Sequence, residues 1–448
     1  MSSGWVNVDS IRDRFSKAMS AMYQAEVPQY GTLLKIVREV NNEVLSQDSG
    51  TFIKQEHEQQ VNRLSVERHG AIRLGTAAEL ATMRELFGVM GMHPVGYYDL
   101  SAAGVPVHAT AFRPVTETAL QINPFRVFTS LLRLELIDNE ALRQQVNVIL
   151  AARDIFTPRV RELIVINERQ GGLNDQQADE FVREALETFR WHHQALVSLE
   201  TYNALLQQHR LIADVVCFWG PHINHLTPRT LDIDEVQKRM PFNGITPKET
   251  IEGPPRRQNP ILLRQTSFKA LNEAIHFTDH AAGTHTARFG EIEQRGLALT
   301  RKGRALYDRL LIEASTTEKA ANLNHQQHLA QIFAAFPDDL HTLRQQKLGY
   351  FRYRRSAQDS SIQITRDNLE QSIANGLVTV EPIVYEDFLP VSAAGIFQSN
   401  LGGDTSSVNS GNPNQQDFEK ALGRAVIDEF GLYEELEALS LAKLGITH

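Results

Sequence analysis

Three short stretches of this 448-residue chain place side chains where a metal ion could be held. In Glu67-Arg68-His69-Gly70-Ala71-Ile72-Arg73, His69 and Arg73 have the same parity. On a strand both would face one side, about 13 Å apart along the chain, with an imidazole at one end and an anion clamp at the other. In Gly220-Pro221-His222-Ile223-Asn224-His225-Leu226-Thr227-Pro228 the prolines disfavour helix, so the two histidines face opposite sides of an extended segment and only one is a ligand candidate. Parity does not choose between His222 and His225. In Glu291-Ile292-Glu293 two carboxylates share a strand face and would repel one another unless a metal or an arginine neutralised them. Taken singly, each pattern also fits a bland reading: a surface strand with a solvated arginine, a loop histidine bonded to backbone, or a pair of solvent-facing glutamates.

Sixteen histidines are enough for some to cluster by chance. His192-His193 and the pair His276 and His280 are lesser candidates; on helices the latter spacing would allow shared ligation, but no HExxH pattern accompanies it. No GxxxxGK[ST] loop, no GxGxxG between a strand and a helix and no GxSxG elbow occurs, so nucleotide binding and serine hydrolysis have no motif support.

The candidates fall on the parts of the chain that read as strands. Residues 1–66 read as an N-terminal helical region, with Leu33, Val37, Val40 and Val44 at three- and four-residue spacing. Residues 67–137 form a first β portion around His69, broken by one helix start at Thr76-Ala77-Ala78-Glu79, which has capping-box spacing. Residues 138–211 read as a helical insertion, with a stripe of Phe181, Ala185, Phe189, Leu196 and Leu199. Residues 212–296 form a second β portion, with runs at Ile212 to Trp219, Leu226 to Ile233, Ile261 to Ala270 and Thr284 to Glu293. Residues 297–375 are helical, 376–402 return to a strand and an apolar, turn-rich loop, and 403–448 hold a polar loop and C-terminal helices. The expectation is an α+β protein with a central mixed or antiparallel sheet surrounded by helices.

Composition narrows the chemistry. Apolar residues are 42% and charged residues 22%, as in ordinary globular proteins. The formal charge of −9 and the lack of a Lys/Arg block argue against a nucleic-acid partner. Cys217 is the single cysteine, which excludes an intrachain disulfide or a thiolate cluster and fits a reducing compartment. Charged residues interrupt the N-terminal stretch, and no apolar run approaches a membrane span, so the expectation is a cytoplasmic protein acting on a small molecule.

Four separated blocks together resemble the hydroxyglutarate synthase (2-oxoadipate dioxygenase/decarboxylase) family: His69 to Arg73, Ile223 to Arg229, Glu291 to Gly296, and Pro390-Val391-Ser392-Ala393-Ala394-Gly395-Ile396-Phe397. The resemblance implies a core similar to the vicinal oxygen chelate fold and an Fe(II) ion held by His69, His225 and Glu293. It thereby prefers His225 to His222 and Glu293 to Glu291. It further implies that Arg73 binds substrate, with Val391 and Ser392 contributing, and that 2-oxoadipate and O2 become D-2-hydroxyglutarate and CO2 in lysine breakdown. Alternatives from other classes are a metal-dependent hydrolase or lyase, since the same ligand set suits zinc, a dioxygenase for an aromatic 2-oxo acid, and a non-enzymatic binding protein.

Overall fold

The capping box read at Thr76 is present: Thr76 accepts from the Glu79 amide at 3.1 Å and the Glu79 carboxylate accepts from the Thr76 amide at 3.3 Å. It starts the helix Ala77–Val89, which crosses between β1 (Arg68–Leu74) and β2 (His93–Asp99). Strands β3 (Val107–Arg113), β4 (Arg126–Leu132) and β5 (Leu226–Pro228) complete a five-stranded mixed sheet in the order β2-β3-β4-β1-β5, with β1 parallel to β4 and the other pairs antiparallel. The computed structural model describes residues 4–47, 61–268, 271–317, 325–356, 363–389 and 413–446.

Period-two alternation divides the sheet into two unlike faces. Ile72 and Leu74 of β1, Val127 and Leu131 of β4 and Phe112 of β3 join a core with Leu80, Met83, Leu86 and Phe87 of the crossover helix and Phe15, Met19 and Phe189 of neighbouring helices. The other face carries His69, Ala71 and Arg73, set opposite Arg126, Phe128 and Ser130 of β4, with Ala111 and Ala109 of β3 opposite Phe128 and Ser130. This second face sets alanines, Ser130 and the buried ring of Phe128 beside its histidine and arginines.

The chain divides into two compact units. The first, Met1–Ile251 with Gln265–Glu293 and Pro390–Ile427, contains the five-stranded sheet, the N-terminal helices Val8–Glu26 and Pro28–Gln47, the helices between Glu140 and Gln208, and the hairpin of β7 (Leu271–His276) and β8 (Ala282–Arg288). The second, Glu252–Arg264 with Gln294–Leu389 and Asp428–His448, contains helices such as Arg301–Thr317 and an antiparallel pair, Phe351–Arg355 with Val378–Pro382, against which the helix Glu429–Ala442 bonds through Glu437 and Ser440. No helix among the described residues is long and apolar enough to cross a membrane.

The expected α+β class with a mixed sheet is observed, but several runs differ from their sequence reading. Ile212 to Trp219, read as a strand, contains the end of the helix Arg210–Val216, capped by His209; its apolar residues are consecutive because Leu211 to Val216 are all buried, a pattern that does not distinguish strand from buried helix. Leu226 to Ile233 is a strand only to Pro228, after which Asp232 caps the helix Ile233–Arg239. His276 ends β7 and His280 occupies the following turn at φ 63°, so that pair is not helical. The stripe beginning at Phe181 stops at Phe189, where its helix ends; Leu196 lies in a bend, its amide bonded to the Cys217 carbonyl.

Two outcomes follow from these packing arrangements. A Cβ at Gly70 would lie 2.4 Å from Ile223 Cδ1 and 3.1 Å from the His225 carbonyl, so Gly70→Ala is expected to cost about 1–3 kcal/mol in urea unfolding. Ile223→Ala in the same chain should recover part of that, giving less than additive losses. In the second unit, burial and then the charge of Asp387 push the Glu429 carboxyl up to about 7. The folded state therefore binds a proton the unfolded chain has released, and stability falls as pH rises from the ordinary glutamate range to about 7. Glu429→Gln should flatten that fall in unfolding midpoints compared at pH 5 and pH 8.

Candidate metal centre

Pairing brings the three sequence stretches to one place on this second face. In the β1–β5 register His69 lies opposite Thr227, so both point to the same side, and His225, two residues before Thr227 along the extended chain, shares that side. The strand β9 (Glu291–Arg295), paired with β6 (Leu263–Ser267), is joined to the same segment by the Thr230 amide bonded to the Glu293 carbonyl at 2.7 Å and the Phe289 amide bonded to the Asn224 carbonyl at 3.1 Å. Gly290 permits this approach: a Cβ there would fall 1.5 Å from the Phe268 ring. Glu291 and Glu293 are both buried, on the shared strand face read from their spacing.

His69, His225 and Glu291 offer ligand atoms that all lie within 4.8 Å of one another. Glu291 is 3.6 Å from His69 Nε2 and 3.6 Å from His225 Nε2. Donors at about 2.1 Å from one ion lie roughly 3.0–3.4 Å apart, so this spacing needs little adjustment to take a metal. Glu293 is placed differently: its carboxylate lies 2.8 Å from the other nitrogen of the same ring, His69 Nδ1. A metal-bound histidine commonly gives its second N–H to a carboxylate, which fixes tautomer and ring orientation. Glu291 thus faces both imidazoles, while Glu293, the carboxylate that the family resemblance implies as ligand, lies against the second nitrogen of His69 and also acts by its charge on His225.

The donor chemistry fits a divalent ion. Burial, reinforced by the neighbouring His69 and Arg73, keeps the His225 imidazole well below its usual proton affinity, and a neutral ring is what a metal requires. Among the described residues neither buried His225 ring nitrogen has a hydrogen-bond partner, while its ring packs on Phe289 at 4.8 Å between centroids. The Gln265 amide donates to Glu291, orienting that carboxylate. Thr227 Oγ1, Gln265 Oε1 and Ser267 Oγ are also buried polar atoms without a hydrogen-bond partner among the described residues. Such atoms are costly unless something bonds them, so a polar molecule is the expected complement of this face.

The remaining sequence candidates are accounted for as follows. Arg73 lies on the metal-bearing face of β1, and its Nη1 donates to Asp214 Oδ2 at 2.6 Å. His222 is buried but turned to Asp214 at 3.1 Å, so the two histidines of this segment separate as parity required, and the one near the carboxylates is His225. Val391 and Ser392 lie outside the described residues. His193 meets the Ala274 carbonyl and His192 the Glu187 carbonyl, which makes both structural. Sequence reading missed Asp214, Gln265 and His285, because contacts across 26 to 141 residues leave no local spacing to detect.

The model of the family described as 2-oxoadipate dioxygenase/decarboxylase matches residues 15–400. The chain is 60% identical over 444 residues to the Escherichia coli K12 protein of that name, covering 98% of this chain and 99% of the relative. It is 57% identical to the Pseudomonas putida one over 449 residues, covering 98% and 96%. The Mycobacterium tuberculosis one is 39% identical over 442 residues, covering 95% and 96%. Among solved structures, the Pseudomonas putida hydroxyglutarate synthase in complex with 2-oxoadipate is similar with a TM-score of 0.90 and 53% identity, covering 99% of each chain.

Metal titration of variants separates the roles of the two glutamates. His225→Ala and Glu291→Gln should each reduce Co(II) affinity more than about 100-fold, whereas Glu293→Gln, removing an orienting contact, should cost about 10–100-fold. A larger loss for Glu293→Gln than for Glu291→Gln in calorimetric titration would reverse the assignment.

Proposed function

Because this chain belongs to the 2-oxoadipate dioxygenase/decarboxylase family, we propose that it converts 2-oxoadipate and O2 into D-2-hydroxyglutarate and CO2, using Fe(II) held by His69, His225 and Glu291. The observation that carries the reading is the convergence of two imidazoles and one carboxylate on a buried face, a set that would leave adjacent positions on a metal open. Fe(II) in such a set supplies a Lewis-acidic, redox-active centre at which a 2-oxo acid and O2 meet. The atoms balance: the six-carbon substrate loses one carbon as CO2, and the two atoms of O2 complete the five-carbon hydroxy acid.

The chain's own residues bind, orient and exclude water. Glu293 holds His69 through Nδ1, directing Nε2 toward the metal position. Gln265 holds Glu291, so that the carboxylate stays turned to both imidazoles. Arg73, four residues along β1 from His69, is assigned to the distal carboxylate of 2-oxoadipate, because a guanidinium fork pairs with a carboxylate through two parallel bonds that an ammonium cannot copy. The buried oxygens of Thr227 and Ser267 are assigned to the polar end of the substrate. Val391 and Ser392 are retained as substrate contacts on the family resemblance. Burial of His69, His225, Glu291 and Glu293 keeps bulk water from the reacting centre.

Oxygen uptake by the anaerobically Fe(II)-loaded protein tests the reading. Adding 2-oxoadipate should consume one O2 per molecule and yield D-2-hydroxyglutarate and CO2 by mass and chiral analysis. Turnover without O2, or equal turnover with Zn(II), would place the chain's chemistry with metal-dependent lyases or hydrolases instead.

A further inference from the structure

Next to the candidate metal ligands lies a second buried polar group, centred on the carboxylate that Arg73 meets. Asp214, on the helix Arg210–Val216, receives Arg73 Nη1 at 2.6 Å on one oxygen. On the other it receives His285 Nε2 at 2.9 Å, and His222 Nε2 stands 3.1 Å away. With Nε2–H donating to Asp214, His285 Nδ1 accepts from the Tyr202 hydroxyl at 2.9 Å. Trp191 lies parallel to the His285 ring at 6.3 Å and edge-on to His222 at 4.8 Å. Five separate segments thus converge on one carboxylate: β1, the helix Leu199–Gln208, the helix Arg210–Val216, the loop bearing His222, and β8.

Two further features show that the group is held in place. His222 adopts φ 22°, a backbone conformation that non-glycine residues rarely take and that persists only where the surroundings over-determine it. Arg153 bonds the carbonyls of Val215 and Phe218, on the chain just after Asp214, and closes a two-bond pair with Glu79 at the start of the crossover helix. The carboxylate is therefore fixed to the sheet that carries the metal ligands. Burial disfavours its charge, but the attraction of His222 and Arg73 and the histidine hydrogen bonds outweigh that and hold Asp214 well below the ordinary aspartate range.

We infer that Asp214, braced by His285 and Tyr202, is the positioning residue that sets the guanidinium of Arg73 at a fixed distance from the metal and so makes the site selective for a dicarboxylic 2-oxo acid. The inference rests on the proposed function, specifically on Arg73 meeting the distal carboxylate. An arginine has four rotatable side-chain bonds, and ordering it only when substrate arrives would cost affinity; an anchor made beforehand removes that cost. Asp214 takes Nη1, one part of a five-donor group, so anchoring and substrate pairing are compatible. Its charge is shared among donors from Arg73 and His285, with His222 adjacent, which lessens repulsion of a second carboxylate arriving at the same arginine. Tyr202 and His285 act through Asp214 and Asp214 through Arg73, so none of the three needs to touch substrate.

The test compares 2-oxoadipate with 2-oxohexanoate, which has the same chain length but no distal carboxylate, in the Fe(II)-loaded full-length protein. Asp214→Asn should raise KM for 2-oxoadipate about 10- to 100-fold, with kcat changed far less, KM for 2-oxohexanoate unchanged and metal affinity unchanged. Tyr202→Phe, which removes one hydroxyl, should shift the preference in the same direction by a smaller factor and decides the matter if Asp214→Asn does not fold. Arg73→Lys is the control. If Arg73→Lys abolishes the preference while Asp214→Asn and Tyr202→Phe leave it intact, the positioning role is overturned and the role of Arg73 stands. If Arg73→Lys leaves the preference intact, the reading of Arg73 itself fails. An equal loss for both substrates with weakened metal binding would mark Asp214 as merely structural and overturn the inference.

Discussion

Two glutamates two residues apart on one strand, both shielded from water, cannot stay ionised side by side without compensation. The arrangement around β9 answers that constraint. Glu291 faces the outer nitrogens of His69 and His225, and Glu293 faces the inner nitrogen of His69. One imidazole stands between the two carboxylates and gives a different ring nitrogen to each. A metal at the outer side would supply the positive charge the pair needs, and the His69 N–H would serve the inner side. The positions of β1, β5 and β9 follow from having to deliver these groups to a single point.

The sheet makes this possible by giving its faces unlike work. On one side, branched and aromatic residues bury against the crossover helix and the N-terminal helices. On the other, Ala71, Ala109, Ala111, Phe128 and Ser130 stand beside the histidine and arginines. Register enforces the separation, because a one-residue slip of β1 would turn His69 into the helical core and Ile72 onto the opposite face. At the approach to β1, Glu67 is buried and bonded by Arg126 at 2.8 Å and Arg229 at 3.1 Å, which ties β1, β4 and the segment after β5 together just below the ligands.

Much of this was legible in the sequence where the signal was local. Parity placed His69 and Arg73 on one face and put Glu291 and Glu293 together; the prolines separated His222 from His225; and the Thr76–Glu79 spacing marked a real helix start. Parity could not say which glutamate meets the metal position, since both lie on the same face and the difference is one of depth along β9. Nor could composition tell the buried helix at Arg210–Val216 from a strand, because burial on every side erases the 3.6-residue period. Asp214 was invisible for the same reason that it is informative: its partners come from distant segments, assembled only by the fold.

The proposed metal set takes Glu291 rather than Glu293 as its carboxylate. Anomalous diffraction at the iron edge, from crystals loaded anaerobically with Fe(II), tests it directly. The account predicts one peak within bonding distance of His69 Nε2, His225 Nε2 and a Glu291 oxygen, with Glu293 still bonded to His69 Nδ1. A peak bonded to Glu293, with Glu291 turned away, would contradict it.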